Sequence, residues 1–135
     1  EFIKGVLEVS THGEWTVVVS SHDIDEVDRL ADRVAMLDAG RLRLNETTEA
    51  LQGRFRRVEV TGAPADVTPI PDWLDWSRAG LLTRFVETRY AGEASERAWR
   101  ERFGSATITA QPMSLREIFM TLARASRAEA KEKSA

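Results

Sequence analysis

His22 is the residue whose type and position are best suited to chemistry. It follows the apolar run at residues 15–19, which predicts a strand buried on both faces, and it precedes a helix that Asp23 and Glu26 are spaced to cap. Ligands of parallel sheets bind beyond the carboxyl ends of the strands, where loops and helix N-termini converge. An imidazole there can donate a hydrogen bond to an anion. The same side chain could instead be a half-buried or helix-capping residue, and local chemistry leaves both interpretations open.

Hydrophobic periodicity predicts the elements that must position this histidine. Apolar residues recur at helical spacing over 1–13 and again over 24–31, and 34–37 is a second short apolar run. The order helix, strand, helix, strand is typical of an α/β layer in which the second helix is the crossover. Residues 38–44 then predict a hairpin with a tight turn, in which Leu42 and Leu44 alternate with arginines facing solvent.

A change of character near Gly53 predicts a boundary between two units. Thr47 is placed to cap a short helix that Gly53 would close. The second unit is predicted to contain strands at 54–61, 81–88 and 106–110, and helices at 94–103 and from 115 onward. We therefore expect an α/β fold with an incomplete parallel sheet and a terminal hairpin over residues 1–53, followed by a small α+β accessory domain over 54–135.

The last helix has the clearest local signals of the second unit. Ser114 and Glu117 form a capping box in front of an apolar stripe at helical spacing, and the polar tail from Ala128 is expected to fray. Trp99 and Phe103 are expected to point inward from the preceding helix. The role predicted for this unit is packing or dimerisation, with a ligand site as the alternative.

Other residues offer weaker candidates. Arg54, Arg56 and Arg57 could contact phosphate or an acidic partner, although alternation on a strand favours a face in solvent. Trp73 and Trp76 follow three prolines and are expected to anchor that stretch to the core, with an exposed aromatic contact as the alternative.

Composition excludes several classes of function. The chain has 135 residues, 19 basic and 22 acidic side chains and a formal net charge of −3, which argues against a nucleic-acid partner. It has no cysteine and only two histidines, so disulfides, thiolate chemistry and a histidine-rich metal site are not expected. No apolar run approaches the roughly 18 residues that span a bilayer. We expect a soluble, cytoplasmic protein without direct membrane insertion.

Residues 14–45 combine the buried run, a Ser-His-Asp junction at 21–23, an Ala-Asp-Arg-Val sequence at 31–34 and a Gly-Arg-Leu turn at 40–42. This combination resembles, without a gap, the part of ABC transporter ATPases from the switch-histidine loop to the hairpin that ends the nucleotide-binding domain. More faintly, residues 111–119 resemble the closing segment of ATPase subunits of ABC-2-type exporters, which carry a small accessory domain.

The resemblance implies a role for each part of the chain. His22 would be the switch histidine, the catalytic residue that contacts the γ-phosphate and helps organise the attacking water. ATP and Mg²⁺ would be the cofactors of the intact protein, and a membrane permease and a second ATPase subunit would be its partners. The protein would then lie at the cytoplasmic face of the cell membrane and hydrolyse ATP to drive export.

The chain also departs from the family's pattern. Its three lysines are not preceded by glycine, so it has no P-loop, and it has no Gly-Gly pair for a signature loop. Residues 34–38 resemble a Walker B strand that ends in an aspartate, but Ala39 stands where the catalytic glutamate would follow. In the family's layout this run is instead the strand after the switch loop, so Asp38 is interpreted as a turn residue. We therefore expect a fragment that neither binds a cofactor nor hydrolyses ATP alone. The competing interpretation is a stand-alone regulatory or dimerisation module with no nucleotide role.

Self-association is also expected. A strand built for burial on both faces, without the elements that would flank it, exposes an apolar edge that a second copy can pair with. We therefore predict a homo-oligomer of this chain.

Overall fold

The computed structural model describes Val18 and residues 23–134, which form a mixed α/β structure with four helices and two antiparallel sheets. The helices are α1 (Ile24–Leu30), α2 (Thr48–Arg54), α3 (Glu93–Phe103) and α4 (Leu115–Ser134), and the strands are β1 (Arg33–Asp38), β2 (Arg41–Thr47), β3 (Arg56–Thr61), β4 (Trp73–Ala79), β5 (Leu82–Glu87) and β6 (Thr107–Pro112). The broad α/β class is therefore confirmed, within the described residues.

The first sheet is the predicted hairpin of β1 and β2. Asp38 pairs with Arg41 across a two-residue turn at Ala39 and Gly40, which both have positive φ. Positive φ at both central positions matches the twist of the flanking strands, and it explains why glycine occupies the second position.

Burial along this hairpin differs from the prediction at one position. Leu44 is buried as expected, but Leu42 is 58% exposed, and its cross-strand partner Leu37 is 74% exposed. A register shift between Met36 and Leu37 explains the difference, because it changes which side chains near the turn face the core.

The parallel layer predicted for residues 1–53 falls mainly outside the described residues. The expected partner of β1 was the run at 15–19, of which Val18 alone is described. Val18 is not in a strand and is 91% exposed, so the predicted two-sided burial is wrong at this position. Such burial requires elements packed on both faces, and the sheets of the described residues are antiparallel.

The second sheet has the strand order β4-β5-β3-β6, and every neighbouring pair is antiparallel. Helix α3 connects β5 to β6 across β3, which lies between them. Strand β4 was not predicted, because the three prolines before it indicated a loop. It pairs with β5 through an irregularity between Leu74 and Ser77, where Asp75 has a φ of 51°.

One face of this sheet packs against α3 and forms an aromatic core. Its buried members are Val58, Val60, Trp73, Phe85, Trp99 and Phe103. Trp99 and Phe103 point inward as predicted, and Trp73 anchors the proline stretch, with its ring 4.2 Å from that of Phe85. Trp76 stacks on Trp73 at 5.7 Å. The aromatic residues thus hold α3 and the proline stretch on the same face.

A second, central core joins the two predicted units. Its buried members are Val34, Leu44, Leu51, Phe55, Val86, Met113, Leu115 and Ile118. They come from β1, β2, α2, β5 and α4, so both sides of the predicted boundary at Gly53 contribute. Gly53 itself lies inside α2, which ends one residue later with Phe55 fully buried as its C-cap. The prediction that Gly53 closes this helix is therefore wrong.

Helix α4 begins as predicted and ends later. The Ser114 hydroxyl accepts the Glu117 N–H at 3.2 Å, and the Glu117 carboxylate accepts the Ser114 N–H at 2.9 Å, which is a capping box. The tail from Ala128 is helical as far as Ser134 rather than frayed. Its alanine, glutamate and lysine residues have high helix propensity, which explains the continuation.

Thr83 is a fully buried position whose replacement is expected to stabilise the protein. Its hydroxyl has no hydrogen-bond partner among residues 23–134, so folding removes it from water without compensation. Thr83→Val is expected to raise the free energy of unfolding by about 1 kcal/mol, measured by urea denaturation.

Thr121→Val is the matched control for this prediction. The Thr121 hydroxyl is also buried, but it donates to the Glu117 carbonyl at 2.9 Å and accepts from Arg124 at 3.3 Å. This substitution is expected to lower the free energy of unfolding by about 1 kcal/mol. Equal signs for the two variants would contradict the assignment of Thr83 as an unsatisfied group.

Candidate functional site

The predicted catalytic residue, His22, lies outside the described residues, and so does His12. The structure describes the chain from the next residue onward. Asp23 has extended backbone geometry and caps α1, its carboxylate accepting the N–H groups of Asp25 at 3.2 Å and Glu26 at 3.4 Å. The predicted cap is confirmed, and it fixes the start of α1 at Ile24, two residues after His22.

Helix α1 packs against the rest of the structure through one face. None of its residues is fully buried, but Ile24, Val27 and the following Ala31 pack against the central core. Asp25 also receives a hydrogen bond from the Arg116 guanidinium at 3.0 Å. The start of α1 is thus connected directly to the start of α4.

Asp38 behaves as a turn residue, as predicted. It ends β1, its carboxylate accepts the Ser126 hydroxyl of α4, and the Arg43 guanidinium lies 3.8 Å away. Arg43 also donates to the Ser126 hydroxyl at 2.9 Å. These contacts occupy the carboxylate with structural partners on β2 and α4.

The three arginines at 54, 56 and 57 do not form the predicted solvated face, because each is half-buried and has a specific partner. Arg54 makes a two-pronged contact with Glu46 at 2.9 and 2.6 Å, and Arg57 pairs with Glu117 at 2.8 Å. Arg56 donates to the Gln52 and Phe55 carbonyls at 2.9 and 2.8 Å. Their partners lie on β2, on α4 and at the end of α2. Because these contacts come from other elements, alternation along a strand did not predict how far the three arginines are buried.

The Arg54–Glu46 contact shifts the titration of the carboxyl. The hydrogen bond from Arg54, together with its positive charge, lowers the pKa of Glu46 below its usual value, although burial opposes the shift. Arg54 also donates to the Thr88 carbonyl at 2.8 Å, beyond β5. One guanidinium therefore links the first hairpin to the second sheet.

A pH dependence of stability follows from this pair. A lowered folded-state pKa gives stabilisation that is present above the usual carboxyl pKa and is lost as the pH falls through the folded-state value. Glu46→Gln is expected to lower the free energy of unfolding at pH 7 by about 0.5–1 kcal/mol and to approach the wild type at pH 3. Denaturant unfolding at both pH values measures this. Glu101→Gln, at an exposed position of α3, should differ little from the wild type at either pH; a pH-independent effect of Glu46→Gln would contradict the prediction.

A cleft of about 460 Å³ lies between α3 and β6. Its lining side chains include Arg56, Tyr90, Glu96, Trp99 and Arg100. Of these residues, Arg56 on β3 was a candidate from the sequence. The others come from the loop after β5 and from α3, where they read as an ordinary polar helix face, so no sequence signal separated them.

The polar groups of this cleft contact one another. The Arg56 guanidinium lies 4.5 Å from the centre of the Tyr90 ring, and the Tyr90 hydroxyl donates to Glu96 at 3.0 Å. This hydrogen bond, with burial and the negative charge of Glu96, raises the pKa of the Tyr90 hydroxyl above its usual value. Arg100 lies 3.5 Å from Glu96 on the same helix. The described lining of the cleft thus contains two guanidinium groups and one carboxylate.

A buried carboxylate lies in the aromatic core. Glu87 is 6% exposed, and one of its oxygens accepts the indole N–H of Trp73 at 2.9 Å and that of Trp99 at 3.2 Å. Its other oxygen accepts the Arg89 N–H at 3.0 Å. Since these three donors belong to the strand, helix and loop that surround Glu87, the carboxylate supports the wall of the cleft.

The described residues show neither a metal-binding cluster nor a membrane-spanning helix. No group of three or more histidine, aspartate or glutamate side chains there is placed to hold a metal ion. No helix among them is long and apolar enough to cross a membrane.

Comparisons with known proteins return nothing similar to this chain. No protein-family model matches it, and no curated protein or solved structure does either.

Proposed function

We propose that this chain is the C-terminal portion of the ATP-hydrolysing subunit of an ABC-type exporter, joined to a small accessory domain. The observation that carries the proposal is the run from residue 16 to 42 with its Ser-His-Asp junction. The described part of that run supports it: α1 is capped at Asp23, directly after His22, and leads through β1 into a hairpin that turns at Gly40.

The proposed role of His22 is to donate a hydrogen bond to the γ-phosphoryl group of ATP. Phosphoryl transfer depends mainly on positioning and on stabilising charge over the phosphoryl oxygens, so one well-placed donor has a large effect on the rate. The Asp23 cap supports this role indirectly, because it fixes the backbone one residue beyond the imidazole.

The cofactors in this proposal are held by other parts of the intact protein. The chain has no Gly-Lys-Ser/Thr loop for the phosphates of ATP, and its described residues offer no acidic group suited to Mg²⁺. Those residues, together with the signature loop and the catalytic glutamate, would precede Glu1. The partners would be a membrane permease and a second ATPase subunit, which would place the protein at the cytoplasmic face of the membrane.

The test is to extend the reading frame upstream of Glu1 and to assay the complete protein. We expect a Gly-Lys-Ser/Thr loop and an Asp-Glu Walker B pair in the upstream sequence, and Mg²⁺-dependent ATP hydrolysis by the purified product. A start codon immediately before Glu1, or an intact product that neither binds nor hydrolyses ATP, would overturn the proposal.

The alternative function is a stand-alone regulatory or dimerisation module without a nucleotide role. Residues 54–135, the larger part of the chain, favour it, since their described part forms a four-stranded sheet with its own aromatic core. The upstream sequence separates the two: an immediate start codon supports the module, and the nucleotide-binding motifs exclude it.

A further inference from the structure

Strand β6 is an open edge of the second sheet. It pairs with β3 in regular register from Thr107 to Pro112, and in the described part of the chain no strand lies on its other side. Five of its six residues are exposed, and Ile108 is half-buried. One row of its backbone N–H and C=O groups is therefore available to another extended segment.

This edge lacks the features by which proteins protect such strands. Its sequence, Thr-Ile-Thr-Ala-Gln-Pro, has no charged residue, and its pairing with β3 shows no bulge. The proline at position 112 blocks only the end of the strand. An unprotected, uncharged edge of this length favours the addition of a strand from a partner.

The cleft between α3 and β6 runs along this edge. Ile108 and Ala110 of the strand and Ala106 just before it alternate along the chain and all line the cleft, together with Arg56 and Arg100 on its wall. An added strand would have alternate side chains on the same face as these residues, because successive side chains of a strand point to opposite faces. The cleft would then receive every second side chain of the partner.

Charge indicates the chemistry of those side chains. Among the described residues that line the cleft, the two guanidinium groups of Arg56 and Arg100 outnumber the carboxylate of Glu96, so this lining has an excess of positive charge. Arg56 is held by the Gln52 and Phe55 carbonyls through Nη1, which fixes its position beside Tyr90. An arginine held in this way is preorganised to pair with a carboxylate.

We propose that β6 binds an extended acidic peptide as a fifth strand of the sheet, with alternate carboxylates of the peptide in the cleft beside Arg56 and Arg100. Backbone hydrogen bonds to the open edge would provide affinity, and the two arginines would select acidic side chains. This proposal does not depend on the ATPase assignment, because it uses neither His22 nor any other residue of the run at 14–45.

A second copy of the chain fits this edge less well. Two β6 strands pairing antiparallel about a twofold axis would bring both α3 helices to the same side of the joined sheet. The two positively charged clefts would then lie next to each other, which is an unfavourable arrangement of like charges. An acidic peptide instead neutralises the cleft.

The experiment uses the 135-residue chain and a fluorescein-labelled heptapeptide, Thr-Glu-Val-Glu-Val-Glu-Thr. Fluorescence anisotropy is expected to show binding about tenfold tighter than that of the same peptide with glutamine in place of glutamate, and the difference should shrink as salt is added. A version N-methylated at both its glutamates and its valines should lose binding, because neither row of its backbone N–H groups can then donate to the edge. Hydrogen exchange should show new protection at 107–111.

Two variants of α3 localise the interaction. Arg100 and Arg97 are both exposed and both pair with a glutamate one turn earlier, at 3.5 and 3.8 Å, but only Arg100 lines the cleft. Arg100→Gln is expected to weaken binding of the acidic peptide by about fivefold, and Arg97→Gln by less than about twofold.

Three results would overturn the proposal. They are equal or absent binding of the glutamate and glutamine peptides, equal effects of the two arginine variants, and peptide-induced protection outside 107–111. Protection of 107–111 that rises with protein concentration in the absence of peptide would assign the edge to a second copy of the chain.

Discussion

His22→Ala in the intact subunit is expected to slow ATP hydrolysis by about 10²–10³-fold while leaving nucleotide affinity unchanged. The expectation rests on the proposed role of the imidazole as a donor to the transferring phosphoryl group. In that role it stabilises charge that develops in the transition state, whereas binding of the nucleotide depends on the phosphate-binding loop and Mg²⁺. Single-turnover hydrolysis and equilibrium nucleotide binding together measure the two effects.

The chain contains its own control for this experiment. His12 is the only other histidine, and it lies ahead of the apolar run rather than after it. His12→Ala should leave turnover within about twofold of the wild type, whereas removing a transition-state donor should not. Unchanged turnover in His22→Ala would end the assignment of this residue as the switch histidine, even if the intact protein is an ATPase.

Glu87→Ala is expected to lower the free energy of unfolding by about 2–5 kcal/mol. The substitution removes the acceptor shared by the indole N–H groups of Trp73 and Trp99, and leaves both donors buried without a partner. It also opens a cavity where β4, β5 and α3 meet. Urea denaturation followed by tryptophan fluorescence measures the loss.

Two further variants make this prediction specific. Glu87→Gln keeps one oxygen for the indoles but directs its amide toward the Arg89 N–H, so we expect a smaller loss, of about 1 kcal/mol. Glu59→Gln, on the opposite face of the sheet, breaks only an exposed pair with Arg84 and should cost less than about 1 kcal/mol. A Glu87→Ala variant as stable as Glu59→Gln would contradict the role given to the buried carboxylate.

The sequence predicted those parts of the fold that depend on near neighbours. The caps at Asp23 and Ser114 join residues two or three positions apart, and the turn at Gly40 requires a positive φ that glycine adopts readily. Each cap and the turn depend on residues that are close in sequence, and each strongly favours particular residue types. For that reason, they could be identified before any tertiary contact was known.

The rest of the fold depends on distant contacts that no local pattern encodes. Strand β4 forms around an irregularity at Asp75, whose carboxylate pairs with Arg124 of α4, 49 positions away. That contact raises the pKa of the Arg124 guanidinium through the hydrogen bond from Arg124 to the carboxylate. The burial of Glu87 could not be predicted from the sequence either, since a glutamate at the end of a strand ordinarily faces water.

The two candidate sites also differ in whether neighbouring residues or distant contacts define them. His22 was identified from a run of neighbouring residues, whereas the cleft beside β6 combines Arg56, Tyr90 and Arg100, which come from β3, a loop and α3. Only the folded sheet brings these three together. The open edge at β6 also became visible only when the strand order was known, because a strand's sequence does not state whether it is central or at the edge.

The central core has a practical consequence for dissecting this molecule. Because α4 closes over β1, β2 and α2, a protein expressed without its last twenty residues would leave Val34, Leu44 and Leu51 facing solvent. A cut at Gly53 would leave the same apolar surface open on both pieces. The smallest portion suited to separate study therefore keeps the first hairpin and the final helix in one polypeptide.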